Sequence, residues 1–241
     1  MRNIQKILIH KKSGKKFYVK DLDNFHTEFG IIAKKDLSGE TAVSSKGEEF
    51  SVLPPLFSDL WENMTKGPQL VQRKDIGMIL AKSGCNKNFK VVDAGGGTGS
   101  LCLSLANVCK EITVYETNPE HYDIVQRNIN LFGFNNITLK QQNIYNGIDE
   151  DDLDLLTLDL PEPWLVTEHV SASLKQGGHL VVYLPNLHQV KQFIDSTRKT
   201  NIQVIETLEL LERQWKIEGK IMRPEFQMLG HTGFLIFCRR Y

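Results

Sequence analysis

Hydrophobic and polar positions change their period along the chain. From Ile4 to Leu53 they form short β-like runs, QKILIH, KKFYVK, FHTEFGIIAK and EEFSVL, separated by Ser13-Gly14, Ser38-Gly39 and Lys46-Gly47. That spacing suits a small antiparallel sheet or barrel. Leu53-Pro54-Pro55 breaks the pattern, and residues 56–64 read as a helix with Leu56, Leu60 and Met64 on one face. After a connector at 66–71, a helix at 74–82 stops at Ser83-Gly84. Beyond it the pattern alternates. Strands are predicted at 91–94, 112–115, 137–141, 153–160, 179–184, 202–211 and 232–239, with helices at 98–109, 118–132, 164–174 and 186–199. The run at 153–160 is nearly all apolar, as expected of a parallel strand buried on both faces. Such alternation implies an α/β, doubly wound Rossmann-like sheet over residues 54–241, preceded by a small β-barrel-like module at 1–53, with ligand at the C-terminal strand ends.

The predicted turn between strand 91–94 and its helix reads Gly95-Gly96-Gly97-Thr98-Gly99-Ser100. Glycines there let backbone N–H groups approach a ligand closely. No Gly-Lys-Ser/Thr follows, so the turn is not a phosphate-binding P-loop, and it fits a dinucleotide G-x-G-x-x-G poorly. Glu116 ends the next strand, where a carboxylate accepts hydrogen bonds from both ribose hydroxyls. An adenosine ligand follows, and S-adenosylmethionine fits better than a nicotinamide cofactor; glycines that only tighten the turn are the plainer alternative.

Strand 153–160 runs into Asp159-Leu160-Pro161-Glu162-Pro163-Trp164. Two prolines fix φ and remove two donors, which makes a rigid lip facing the glycine turn. A carboxylate held there can accept a hydrogen bond from the exocyclic amine of a base; alternatively Asp159 caps a helix and Trp164 fills core. Arg223-Pro224 and Gly230-His231-Thr232-Gly233-Phe234 lie before the last strand, where arginine suits a phosphate and His231 and Thr232 either bind a base or pin the loop.

Net charge is zero, but Arg2, Lys6, Lys11, Lys12, Lys15, Lys16 and Lys20 occur with no acid among residues 1–20, while 149–154 is acidic. This is either two solvated faces or a local patch for nucleic acid. Cys85, Cys102, Cys109 and Cys238 form no C-x-x-C pair, so free thiols in a reducing compartment are expected. His10, His26, His169, His179 and His188 lack metal-ligand spacing, so no metal is expected. No apolar run reaches membrane-spanning length and no leader pattern is present, which points to a soluble, cytoplasmic chain without membrane contact.

Together, Val52-Leu53-Pro54, Gln69, Lys74-Asp75-Ile76-Gly77, the glycine turn, Tyr115-Glu116, the Asp159–Trp164 lip and Arg223-Pro224 with Gly230–Leu235 resemble the tRNA adenine-N1 methyltransferases. Those enzymes modify T-loop position 58 and, in archaea, also 57. The resemblance spans nearly the whole chain; the lip and the last loop are its specific parts. It implies that Gln69, the turn from Gly95 to Ser100, Glu116, His121 and Asn143 contact S-adenosylmethionine, and that Asp159 meets both cofactor and target adenine. Pro161, Trp164, Arg223, His231 and Thr232 are then candidates to face the substrate. It further implies a homotetramer with tRNA as partner. Three positions depart: Gln72-Arg73 replaces the usual Tyr-Pro beside the target base, Asn143 replaces an aspartate, and Thr98 replaces a serine. Two other readings stay open, a non-catalytic tRNA-binding subunit of such an enzyme and a small-molecule or protein methyltransferase on the same fold.

Overall fold

The computed structural model describes residues 4–241, which divide into two compact units. The first extends to Lys66 and includes Arg127–Gly133. Its strands β1 (Lys6–His10), β2 (Lys16–Val19), β5 (Thr41–Val43) and β6 (Glu49–Leu53) form an antiparallel sheet in the order β2-β1-β6-β5. The single run FHTEFGIIAK folds back on itself as β3 (Phe25–Thr27) and β4 (Gly30–Ile32), a separate two-stranded ribbon. Leu8, Val19, Ile32, Leu37, Ala42, Phe50 and Val52 form the core, with Phe17 edge-on to Phe50 at 6.1 Å. A second cluster gathers Ile4, Ile7 and Leu131 with Leu60 and Phe132.

Helix α1 covers only Phe57–Glu62, shorter than the predicted 56–64. The Asp59 carboxylate accepts the Leu56 N–H at 3.0 Å and fixes the start, and the Asn63 amide donates to the Asp59 carbonyl at 2.9 Å and closes the end. The acid-free run at the N-terminus is not acid-free in space. Lys11 pairs with Glu49 at 2.8 Å, Lys15 with Glu28 at 2.8 Å and Lys16 with Asp59 at 3.4 Å. Arg2 lies outside the described residues.

The second unit holds a seven-stranded sheet in the order β12-β15-β11-β10-β7-β8-β9. The strands are β7 (Lys90–Ala94), β8 (Glu111–Tyr115), β9 (Ile137–Lys140), β10 (Leu153–Leu158), β11 (Leu174–Leu184), β12 (Ile202–Glu209) and β15 (Phe234–Arg240). Strands β9-β8-β7-β10-β11 run parallel, whereas β15 is antiparallel to both β11 and β12. All six residues of β10 are buried, as the apolar run predicts. Helices α2 (Arg73–Ser83), α3 (Ser100–Ala106), α4 (Pro119–Phe132), α5 (Thr167–Ser173) and α6 (Leu187–Thr197) connect them. The Asn118 side chain accepts the Glu120 N–H at 2.9 Å, and Asn186 accepts that of Gln189 at 3.0 Å, so both predicted caps open their helices.

Two stretches differ from the sequence expectation. Gly177-Gly178, expected to end a helix, lies inside β11, where the pairing with β10 shifts register between Leu153 and Leu155. A Cβ on Gly178 would sit 2.8 Å from the Leu153 carbonyl oxygen, so the glycine marks a bulge in a strand. The predicted helix at 164–174 begins as a 3-10 turn at Pro163–Leu165 before α5. A hairpin of β13 (Trp215–Glu218) and β14 (Ile221–Pro224) is additional to the predicted elements.

Phe50 is fully buried. Phe50→Ala is expected to lower stability by roughly 3–5 kcal/mol, measured as a reduced urea midpoint for loss of β-sheet signal.

Candidate functional site

Strand order reverses between β7 and β10, and the C-terminal ends of these neighbours open one concavity of about 460 Å³. Reversal sends the two following connections to opposite faces of the sheet, which leaves a cleft between them. Its floor is the glycine turn. The Gly95 N–H donates to the Tyr115 carbonyl at 3.0 Å, and the Asp159 N–H donates to the Ala94 carbonyl at 2.9 Å. Gly95 has φ +93°, and any Cβ there would collide with the Asp159 carbonyl oxygen, so only glycine lets turn and lip meet.

Glu116, nearly buried at the end of β8, ties the opposite wall together. Its Oε2 accepts the Gly97 N–H at 2.8 Å and its Oε1 accepts the Asn118 N–H at 2.9 Å. His121 Nδ1 stands 3.9 Å from the same carboxylate. These bonds fix the orientation of Glu116 and leave lone pairs for a ligand's hydroxyls. Asn143 Oδ1 accepts the Tyr145 N–H at 3.0 Å and shapes the third wall. Asp159 completes the rim, and burial, reinforced by Glu116, pushes its carboxyl up to about 6.

Of the residues singled out in the sequence, Gln69, Gly95, Gly97, Tyr115, Glu116, His121, Asn143, Asp159, Leu160 and Pro161 line this cavity. Gly96, Thr98, Gly99 and Ser100 form the rest of the turn and the start of α3 behind it, with Thr98 and Ser100 buried. Trp164 is half-buried in the 3-10 turn next to the lip. Arg223 on β14 stacks its guanidinium 3.8 Å from the exposed Phe226 ring. His231 Nε2 donates to the Pro185 carbonyl at 2.7 Å while Nδ1 lies 2.5 Å from Glu209 Oε1; the Glu209 contact raises its pKa. Thr232 is buried, donating to Asp75 Oδ2 at 2.9 Å and accepting from Lys74 at 2.6 Å, so its hydroxyl holds the last loop to α2.

Pro68, Thr117, Gln142, Ile144 and Tyr145 also line the cavity without having been singled out. Most are chain neighbours of residues that were, so adjacency was the available signal. Asp93, two positions before Gly95, is the other omission: it is buried under the turn, and the Thr157 hydroxyl donates to its Oδ1 at 2.5 Å.

A glycine cradle, a fixed carboxylate at the ribose position and a third wall with an amide side chain fit an adenosine-bearing ligand. Among the described residues no group of histidine, cysteine, aspartate or glutamate could hold a metal ion. Also among them, no helix is long and apolar enough to cross a membrane.

A family profile described as the tRNA methyltransferase complex GCD14 subunit matches residues 52–223. The chain is 29% identical to the tRNA (adenine(57)-N(1)/adenine(58)-N(1))-methyltransferase TrmI of Methanocaldococcus jannaschii, over 97% of this chain and 94% of that one. It is 28% identical to the tRNA (adenine(58)-N(1))-methyltransferase TrmI of Thermus thermophilus, over 98% and 96%. Among solved structures, a SAM-dependent O-methyltransferase of Thermotoga maritima superposes with a TM-score of 0.84 at 27% identity, covering 100% of this chain and 94% of that one.

Gly95→Ala is expected to leave a folded protein by circular dichroism that no longer gives measurable heat on titration with S-adenosylmethionine.

Proposed function

We propose that this chain, which belongs to the family of the tRNA methyltransferase complex GCD14 subunit, transfers a methyl group from S-adenosylmethionine to N1 of adenine 58 in the T-loop of tRNA, with adenine 57 as a second acceptor. The observation that carries this reading is Asp159. It is a carboxylate at the rim of an adenosine-type cavity, on a lip stiffened by Pro161 and Pro163.

When bound, S-adenosylmethionine supplies an electrophilic methyl group on a cationic sulfur. Glu116 would hold its ribose, Gln69 and the turn from Gly95 to Ser100 its amino-acid end, and His121 and Asn143 its base. Adenine N1 is already a lone-pair nucleophile, so the protein needs no strong base and its task is alignment. Positive charge grows on the adenine as the new bond forms. Asp159, accepting a hydrogen bond from N6, stabilises that charge more in the transition state than in the ground state. Because N1 lies on the Watson–Crick edge, the adenine must be unpaired and turned outward; Pro161, which lines the cavity with Asp159, would offer apolar surface for it, with Trp164 further along the lip.

The grip on tRNA draws on shape and phosphate contacts, to which Arg223 and His231 contribute. Lysines of residues 1–53 with carboxylate partners exchange one anion for another when they meet a phosphate, so each adds less than an unpaired lysine would. The reading extends to a cytoplasmic homotetramer. It is supported by a concentration of exposed apolar side chains along the hairpin, with Trp215 58%, Ile217 75% and Met222 72% exposed and Phe226 nearby at 84%.

The decisive experiment incubates the purified protein with labelled cofactor and unmodified tRNA and maps the modified nucleotide; label outside the T-loop adenines would reject the reading. Asp159→Asn should bind tRNA normally and, with both substrates saturating, turn over roughly 10²–10³-fold more slowly. The wild-type kcat/KM for the cofactor should fall as pH drops through about 6, where Asp159 of the free protein takes up a proton and loses its charge. Ile217→Asp with Met222→Asp should lower the sedimentation mass; an unchanged mass would place subunit contacts elsewhere.

A further inference from the structure

The cavity carries more negative charge than recognition of an adenosine requires. Glu116 and Asp159 line it, and Asp93 lies behind the glycine turn with 1% of its surface exposed. Thr157 satisfies Asp93 Oδ1, but Oδ2 finds no hydrogen-bond partner among the described residues. A buried carboxylate oxygen without a donor is costly, and more so when ionised. The ionisable groups that face Asp93 add no cation: Glu116 follows β8, Asp159 follows β10, and Cys102 lies on α3. Asp159 itself faces Glu116 and, from β11, Tyr183. The fold therefore concentrates negative potential at one place, with no lysine or arginine among the described residues that line the cavity and His121, 3.9 Å from Glu116, as the basic neighbour there.

The methyl donor and its demethylated product share the adenosine and the zwitterionic amino acid. They differ at sulfur, a cationic sulfonium in one and a neutral thioether in the other. Contacts made by Glu116 and the glycine turn are common to both, whereas uncompensated carboxylates act on the difference.

We propose that Asp93 and Asp159 form a charge selector: they hold protons in the empty cavity, release them to solvent when the sulfonium ligand enters, and so favour the methyl donor over its product. The proposal rests on the cofactor reading above. No bond to carbon or sulfur changes; only carboxyl O–H bonds break. Burial, with Asp159 and Glu116 adding to it and Thr157 opposing, pushes Asp93 up to about 7, and Asp159 stands at about 6. A nearby cation lowers both, so donor affinity rises with pH through this window and levels off above it. Release of the spent, neutral product is correspondingly eased.

The test is calorimetric titration of the full-length protein with S-adenosylmethionine and, separately, S-adenosylhomocysteine, in two buffers of different ionisation enthalpy. Working between about pH 5.5 and 7.2 keeps the ligand ammonium charged. Donor affinity is expected to rise about tenfold across that range with release of up to about one proton near pH 6.5, while product affinity changes less than about threefold. Asp93→Asn should cut the proton release. Thr157→Val, which removes the donor that opposes the rise, should move the window to higher pH and serves if Asp93→Asn does not fold. His121, Tyr115 and Tyr145 are the other ionisable side chains that line the cavity. Equal release with both ligands, a pH-independent donor affinity, or undiminished release in Asp93→Asn overturns the selector while leaving the cofactor reading intact. Failure of both ligands to bind at every pH overturns the cofactor reading and the selector with it.

Discussion

Gly95 and the carbonyl of Asp159 meet so closely that no side chain fits between them, and the site depends on this contact. The parallel pairing of β7 with β10 brings the two chain segments out of the sheet side by side. A substituent on either would drive them apart. Glycine on one strand end and two prolines beyond the other thus set a fixed spacing between the floor of the cavity and its rim. Glu116 completes the arrangement from β8, tying Gly97 and Asn118 into the same wall. Because these groups are held by backbone geometry, the alignment demanded by a direct displacement is present before any ligand arrives.

Much of this was legible in the sequence because it is written in local chemistry. Asn118-Pro119 and Asn186 open helices for reasons contained in a few residues, and the apolar run of β10 announces a strand with no solvent face. The glycine turn and Glu116 were legible because their spacing is fixed by one strand–turn–helix unit. What the sequence hid depends on distant partners. Lys11, Lys15 and Lys16 look like a basic patch until the fold sets Glu49, Glu28 and Asp59 beside them. Thr232 looks available to a substrate until Asp75 and Lys74, far away in sequence, take up its hydroxyl. Gly177-Gly178 reads as a helix stop unless the Leu153 carbonyl pressing on it is known. The β13–β14 hairpin did carry a local signal, Gly219-Lys220 between alternating runs with Gly219 at positive φ, which a search for two-residue turns finds.

Electrostatically the cavity is unusual in how little of its charge is neutralised within the fold. Lys11, Lys15 and Lys16 of the first unit are matched with acids, and Lys140 is held by Asp149 and Glu150. Beneath the turn Asp93 is hydrogen-bonded by the Thr157 hydroxyl, and the ionisable groups that face it are carboxylates and a thiol. An internal lysine would stabilise the empty protein, but it would also repel the cationic sulfur of the cofactor. On the charge-selector proposal, the unfavourable energy of the empty state is the counterpart of selectivity in the filled one.

The first unit is discontinuous in sequence, and this bears on how the chain matures. Leu131 and Phe132, at the end of α4, pack with Ile4, Ile7 and Leu60. During synthesis the N-terminal strands therefore leave the ribosome long before the residues that complete their second apolar cluster. They wait while the glycine turn, β8 and most of α4 are made, exposing Ile4 and Ile7 in the interval. Completion of the N-terminal unit is consequently tied to production of the strand that carries Glu116, so a nascent chain interrupted before Leu131 leaves that apolar surface uncovered, open to chaperones and proteases.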